Sequence, residues 1–357
     1  MNHVLITGMN RSGTTLLLNL LDSHSMLLCL PVEVGIFRAL ANKKTNLLEV
    51  YRRGFDQLWM FLDSHTRLSE SDFTKRGHPP NDWETYLEVM SLDLDFKLLK
   101  HSLRSNLLTE NPDTSQKILL IIYRTFFPNI FSGLADYRYI VTKRPKSTFA
   151  IDCFFEHYPN GRVIYMSRRP DWAYASQKYS RLTNSEIQCD DYSAQIGAVM
   201  EYCEGWKKNY CHIMELQERY RDQIVVVELE DVAKDIKFEM AKVAKFLDIT
   251  FEEILLSPTV MNNSVKGNTT QEGNAVQFNA SIASGGREEI LSEYDRAIFY
   301  GSLHRFCKKL GYYLPSVKLS FGKAVYFNAV RWNWKIVFLI SLLKSVKYFK
   351  KSSEKIF

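Results

Sequence analysis

Six residues near the start of the chain have the types and spacing to hold an anion: Gly8, Arg11, Ser12, Gly13, Thr14 and Thr15, within VLITGMNRSGTTLLLNLL. Glycine at both ends of the turn lets the backbone curl tightly, so the amides from Arg11 to Thr15 can converge on one oxyanion with hydroxyls and a guanidinium beside them. The spacing is one residue away from a nucleoside-triphosphate P-loop, because Thr14 stands where that loop carries Lys. A γ-phosphate needs the loop Lys and Mg²⁺; a loop whose cation comes earlier, at Arg11, suits a less charged group. The competing reading is a glycine turn that binds nothing. All six residues falling between a strand signal and a helix signal weighs against it.

The elements that must position such a loop are legible on either side of it. Val4 to Thr7 reads as a short buried strand and the residues from Thr14 as an amphipathic helix, which puts the loop at the helix's positive end. Further strands are expected at Tyr139 to Thr142, Val163 to Ser167 and Ile224 to Leu229. The second of the chain's strands ends at Lys143, Arg144 and Pro145, and ligands gather at the carboxyl ends of parallel strands, so Lys143 is expected on the same rim as the loop. Helices are expected at Ser115 to Phe126, about Ser147 to His157, from Pro170, at Asp191 to Tyr220, from Asp231, and at about Glu288 to Leu310. SMLLCLPVEVGIF reads as a turn back toward the core that carries Glu33. Strands alternating with helices predict an α/β, three-layer P-loop-like fold with a central, mainly parallel sheet flanked by helices.

With 357 residues, 46% of them hydrophobic, the chain can bury a large core. One domain is expected over residues 1–315, with a helical insertion at about 41–115 that forms either an acceptor wall or a satellite pack, and a basic amphipathic tail over 316–357. The tail holds nine Lys or Arg and one acid; with a net +6 for the whole chain, residues 1–315 carry −2, so no basic face for nucleic acid is implied. Six scattered Cys without a C-x-x-C pair suit a reducing cytoplasm better than a disulfide framework or zinc site. No His pairs with Cys or acid at ligand spacing, and no metal is expected. MNH runs directly into the first strand, which leaves no room for a signal segment and suggests a cytoplasmic protein. Ser257 to Arg287, rich in Asn, Ser, Thr and Gly, is a long loop of the kind used as a lid or binding loop, and its sequons at Asn262, Asn268 and Asn279 are read as chance.

Two signatures together carry a resemblance. GMNRSGTTLL resembles the 5′-phosphosulfate loop of sulfotransferases that use 3′-phosphoadenosine 5′-phosphosulfate (PAPS), and VIYMSRRPDWAYAS resembles their 3′-phosphate motif, a strand ending in Arg168 with Ser176 eight residues on. The likeness extends from Val4 to about Pro315. It implies that Arg11, Ser12, Gly13, Thr14, Thr15, Arg168 and Ser176 bind PAPS, with Lys266 and Arg287 of the long loop as further contacts. A 3′-phosphate needs a donor fork, which Arg168 can supply; for Arg169 a solvated surface role stays open. The cytosolic phenol enzymes place a catalytic His two residues after a strand-end Lys; here Lys143 matches the Lys, but Pro145 replaces the His. The chain resembles the tyrosylprotein and glycan enzymes more closely, and these place a Glu after the first helix. Glu33 sits at a comparable position with one residue of slippage, which implies a catalytic set of Glu33, Arg11 and Lys143, while Asp22 reads as structural. The implied reaction moves a sulfuryl group to an acceptor hydroxyl, expected on a carbohydrate or glycolipid.

Two other readings stay open at this point. One is a kinase or NTPase with a degenerate P-loop that uses Val225 to Asp231 as an acidic strand; the other is a nucleotide-binding membrane-surface protein without turnover. The run Ile336 to Leu343, with Trp332 and Trp334 before it and Lys344, Lys347, Lys350 and Lys351 after it, is too short to span a bilayer. It suits peripheral contact with an anionic inner-membrane surface, or equally a helix packed on the domain.

Overall fold

The computed structural model describes residues 2–65, 96–128, 131, 137–184, 192–260, 263–264, 287–320, 322 and 328. Its contacts cluster into two compact units. The first runs to Arg168 and resumes at Asn209; the second comprises Arg169 to Lys208 and the residues from Arg287 on.

The first unit is built on five strands: β1 (Asn2–Gly8), β2 (Leu27–Glu33), β3 (Tyr139–Lys143), β4 (Arg162–Ser167) and β5 (Ile224–Glu228). They pair in the order β2-β3-β1-β4-β5, every neighbour parallel, with β1 in the middle. Side chains alternate between two apolar layers. Leu5, Ile140, Val163 and Tyr165 pack with Phe37, Ile122 and Phe154, while Val4, Ile6, Val141 and Ile164 pack with Leu17, Leu21, Met240 and Val243. Because helices cover both faces, these strands are apolar at nearly every position. His3 is a polar exception on β1, fully buried among the rings of Phe37, Tyr123, Phe154 and Tyr158 with Nε2 2.7 Å from Thr142 Oγ1. Burial pushes its imidazole from 6.5 down to about 3, with nearby His157 acting in the same direction.

Three expectations need correction. The segment expected as a turn around Glu33 is the edge strand β2; Pro31 disguised it, and the register shift between Cys29 and Glu33 accommodates a residue that has no N–H to pair. The helix expected from Asp231 is two helices, Leu229–Lys234 and Ile236–Leu247, parted at Asp235, whose carboxylate accepts from the Phe238 amide at 3.0 Å and caps the second. The expected helices at Ser147 and Glu288 each begin with a 3-10 turn, Thr148–Ala150 and Glu288–Ile290, ahead of α-helices Ile151–His157 and Glu293–Lys309.

Helix Ile36–Lys43 leads into the expected insertion, within which helices Leu47–Arg52, Phe55–His65 and Phe96–Glu110 are present, and residues 66–95 lie outside the described residues. The second unit packs helix Pro170–Asn184, the part of helix Tyr192–Arg219 up to Lys208, and Glu293–Lys309. Tyr174, Tyr202 and Phe299 meet there, Trp206 meets Phe306 and Tyr312, and Lys178 pairs with buried Asp295 at 2.8 Å. Among the described residues no helix is long and apolar enough to cross a membrane.

Candidate functional site

The loop after β1 is shaped by three left-handed residues. Gly8 has φ 151°, and a Cβ there would stand 2.3 Å from the Met166 carbonyl oxygen of β4, so no larger residue fits without moving backbone. Arg11 (φ 65°) and Gly13 (φ 93°) complete the curl. Ser12 turns inward: its hydroxyl donates to the Met9 carbonyl at 2.7 Å and only 1% of it is exposed, so the side chain expected to meet an anion holds the loop's shape instead. Helix α1 (Thr14–Leu21) then starts at Gly13 without a side-chain cap. Its first amides and the positive end of its dipole form the anion-attracting floor of the loop.

On one side of β1, strand β3 delivers Lys143 to this floor. Lys143 is 6% exposed, and its Nζ donates to Thr15 Oγ1 at 2.8 Å and lies 3.5 Å from Glu33 Oε1. A buried ammonium needs such partners. Glu33 stands opposite Lys143 in the β2–β3 register, and the Val34 amide donates to the Lys143 carbonyl at 3.1 Å. The other carboxylate oxygen, Oε2, accepts from Arg144 Nη1 at 2.8 Å. The chain beyond then crosses the end of β1: the amides of Arg144 and Lys146 donate to the carbonyls of Ile6 (2.9 Å) and Gly8 (2.8 Å), and the Ser147 amide donates to Thr7 Oγ1 (3.1 Å).

On the other side, β4 is followed at once by Arg168, which is 6% exposed and whose Nη1 donates to the Arg11 carbonyl at 3.1 Å. The guanidinium therefore faces the loop.

Arg11, Gly13, Thr14, Thr15, Glu33, Lys143 and Arg168 are thus gathered on the carboxyl edge of one sheet. Ser176 belongs to the second unit, where it is buried on helix Pro170–Asn184, and Arg287 lies in the same unit with its guanidinium 4.0 Å from the Tyr179 ring centroid. Lys266 lies outside the described residues. Arg169 is a fork on Asp171 (2.7 and 2.8 Å), reaches Glu288 at 3.0 Å and stacks on Trp172 at 3.7 Å, which makes it a local staple. Asp22 accepts from Ser23 Oγ (3.0 Å) and Thr259 Oγ1 (2.9 Å) at the far end of α1, in keeping with its structural reading. Arg144 was missed. Its signal was a second cation directly after Lys143 at a strand's carboxyl end.

A family model described as "Sulfotransferase family" matches residues 3–253. A search of curated protein sequences gave no significant match. Among solved structures, the chain is similar to the sulfotransferase domain of the Synechococcus PCC 7002 olefin synthase, with TM-score 0.50, 14% identity, and coverage of 88% of this chain and 95% of that one. It is also similar to the sulfotransferase domain from the curacin biosynthetic pathway (TM-score 0.49, 16% identity, 88% and 99% covered) and to a sulfotransferase from Alicyclobacillus acidocaldarius (TM-score 0.41, 14% identity, 88% and 97% covered). The olefin synthase domain shares the fold.

Proposed function

Because the chain belongs to the sulfotransferase family, we propose that it moves a sulfuryl group from PAPS to an acceptor hydroxyl, with the residues at the ends of β1, β2, β3 and β4 as its machinery. The observation that carries this reading is the position of Lys143, in hydrogen-bond contact with Thr15 of the anion loop and 3.5 Å from the Glu33 carboxylate. One cation thereby joins the donor side to a candidate base. The donor set fits a phosphosulfate: an uncapped helix start, Arg11, Thr14 and Thr15 on one side, and Arg168 for a second phosphate.

Bound, PAPS supplies an activated sulfuryl group and leaves as a bisphosphate. The chain's own residues do the rest. Glu33 takes the proton of the acceptor hydroxyl as its oxygen attacks. Lys143, Arg11 and the first amides of α1 stabilise the charge that grows on the departing phosphate oxygen, and being fixed in place they need little rearrangement to do so. Arg168 holds the 3′-phosphate. The acceptor we propose is a carbohydrate or lipid-linked glycan, a reading that follows if residues 332–351, whose aromatic and basic composition suits an anionic membrane surface, bring the enzyme to one.

Glu33→Gln is expected to keep its affinity for adenosine 3′,5′-bisphosphate in calorimetry and to lose about 10²-fold or more of its transfer rate from ³⁵S-labelled PAPS across an acceptor panel. Transfer near the wild-type rate would remove Glu33 from the role. Titration with Mg-ATP is expected to give no heat of binding, which separates this function from the kinase reading.

A further inference from the structure

Three cations at the carboxyl edge of the sheet have partners within the protein: Lys143 has Thr15 and Glu33, Arg144 has Glu33, and Arg168 has the Arg11 carbonyl. Lys146 differs. Its amide donates to the Gly8 carbonyl at 2.8 Å, and the next amide, that of Ser147, donates to Thr7 Oγ1 at 3.1 Å, so its backbone is pinned to the end of β1 where the anion loop begins. Its side chain is exposed, and among the described residues its ammonium makes no ion pair or hydrogen bond. Lys146 also has φ 58°, in the left-handed region that glycine enters freely and lysine only at a cost. Glycine would make this turn more easily, so the turn itself gives no reason for a lysine, whereas a charge carried at that point does.

We propose that Lys146 is a donor-binding residue whose ammonium meets the sulfuryl end of PAPS, the part of the donor that the bisphosphate product lacks. The proposal rests on PAPS being the donor. Lys143 and Arg168 are each 6% exposed and fixed by their partners, whereas an exposed ammonium on a flexible four-carbon stem can adapt to a group that comes and goes. The pinned backbone keeps that stem beside the loop. As a point charge it suits a singly charged sulfuryl group, which asks for no bidentate fork. The buried cations then hold the parts of the nucleotide that stay, and Lys146 the part that moves.

The test compares PAPS with adenosine 3′,5′-bisphosphate on the full chain. Lysines are acetylated with an N-hydroxysuccinimide ester and read by mass spectrometry; labelling of Lys146 is expected to slow about fivefold or more with PAPS and by less than about twofold with the bisphosphate. In calorimetry Lys146→Gln is expected to lose about tenfold in PAPS affinity and to keep its bisphosphate affinity within about twofold, and Lys146→Arg to recover most of the loss. Lys146→Gly separates binding from folding: it relieves the left-handed backbone, so its urea midpoint should hold or rise while its PAPS affinity falls as in the Gln variant. Equal protection of Lys146 by both nucleotides, or protection by neither, would overturn the proposal. So would a Gly variant whose stability and PAPS affinity fall together, for then Lys146 merely shapes the turn. Failure of the donor reading looks different: the wild-type protein then binds neither nucleotide, and the proposal falls with it.

Discussion

At the scale of single residues, the loop after β1 is set by what cannot be placed in it. A methyl group at Gly8 meets the backbone oxygen of Met166 at 2.3 Å, while one at Gly13 meets the tip of the Leu229 side chain at 2.8 Å, which can swing aside. Gly8→Ala is therefore expected to cost more stability, about 3 kcal/mol against about 1–2 kcal/mol for Gly13→Ala, in urea unfolding. The reverse order would show that the loop is not locked to β4. Arg168 sits at the same scale. Arg168→Ala is expected to weaken adenosine 3′,5′-bisphosphate about tenfold or more and adenosine 5′-monophosphate far less, because only the former carries the group its fork would hold. Equal weakening of both would place the 3′-phosphate elsewhere.

The elements explain both why much of this was legible and where legibility stopped. β1, β3, β4 and β5 are continuous apolar runs because helices cover both faces of the sheet, and such runs announce themselves. β2 does not, since Pro31 and the register shift before Glu33 break its pattern, and Asp235 divides a helix whose apolar spacing looks unbroken. The Arg144–Glu33 pair joins residues 111 positions apart, and their meeting depends on strand register, which no local pattern encodes. The sheet also buries a titratable group. His3 on β1 is neutral in the fold, its imidazole lowered from 6.5 to about 3, so the unfolded chain binds the extra proton between those values. Stability is thus full above about pH 6.5 and is lost as pH falls toward 3, with a loss on the order of 2 kcal/mol by pH 5. Comparing unfolding free energies at pH 7.5 and pH 5, His3→Phe is expected to narrow the difference. An unchanged difference would assign the acid sensitivity to other groups.

For the molecule as a whole, charge is distributed by region. Residues 1–315 are slightly acidic and the segment beyond them strongly basic, although the run from Trp332 to Lys351 lies outside the described residues. A peripheral membrane role for that segment is a proposal with a direct check: deleting residues 321–357 should release the protein from vesicles containing anionic lipid while leaving bisphosphate affinity intact. Partitioning that survives the deletion would defeat it.

The position of β2 at the border of the sheet has its own consequence. Among the described strands it pairs with β3 alone, whereas the anion loop grows from the strand in the middle. Changes to the border strand can therefore alter the surroundings of Glu33 without touching the strand that carries the anion loop. A scaffold arranged this way can change at its margin while the anion loop at its centre is inherited unchanged.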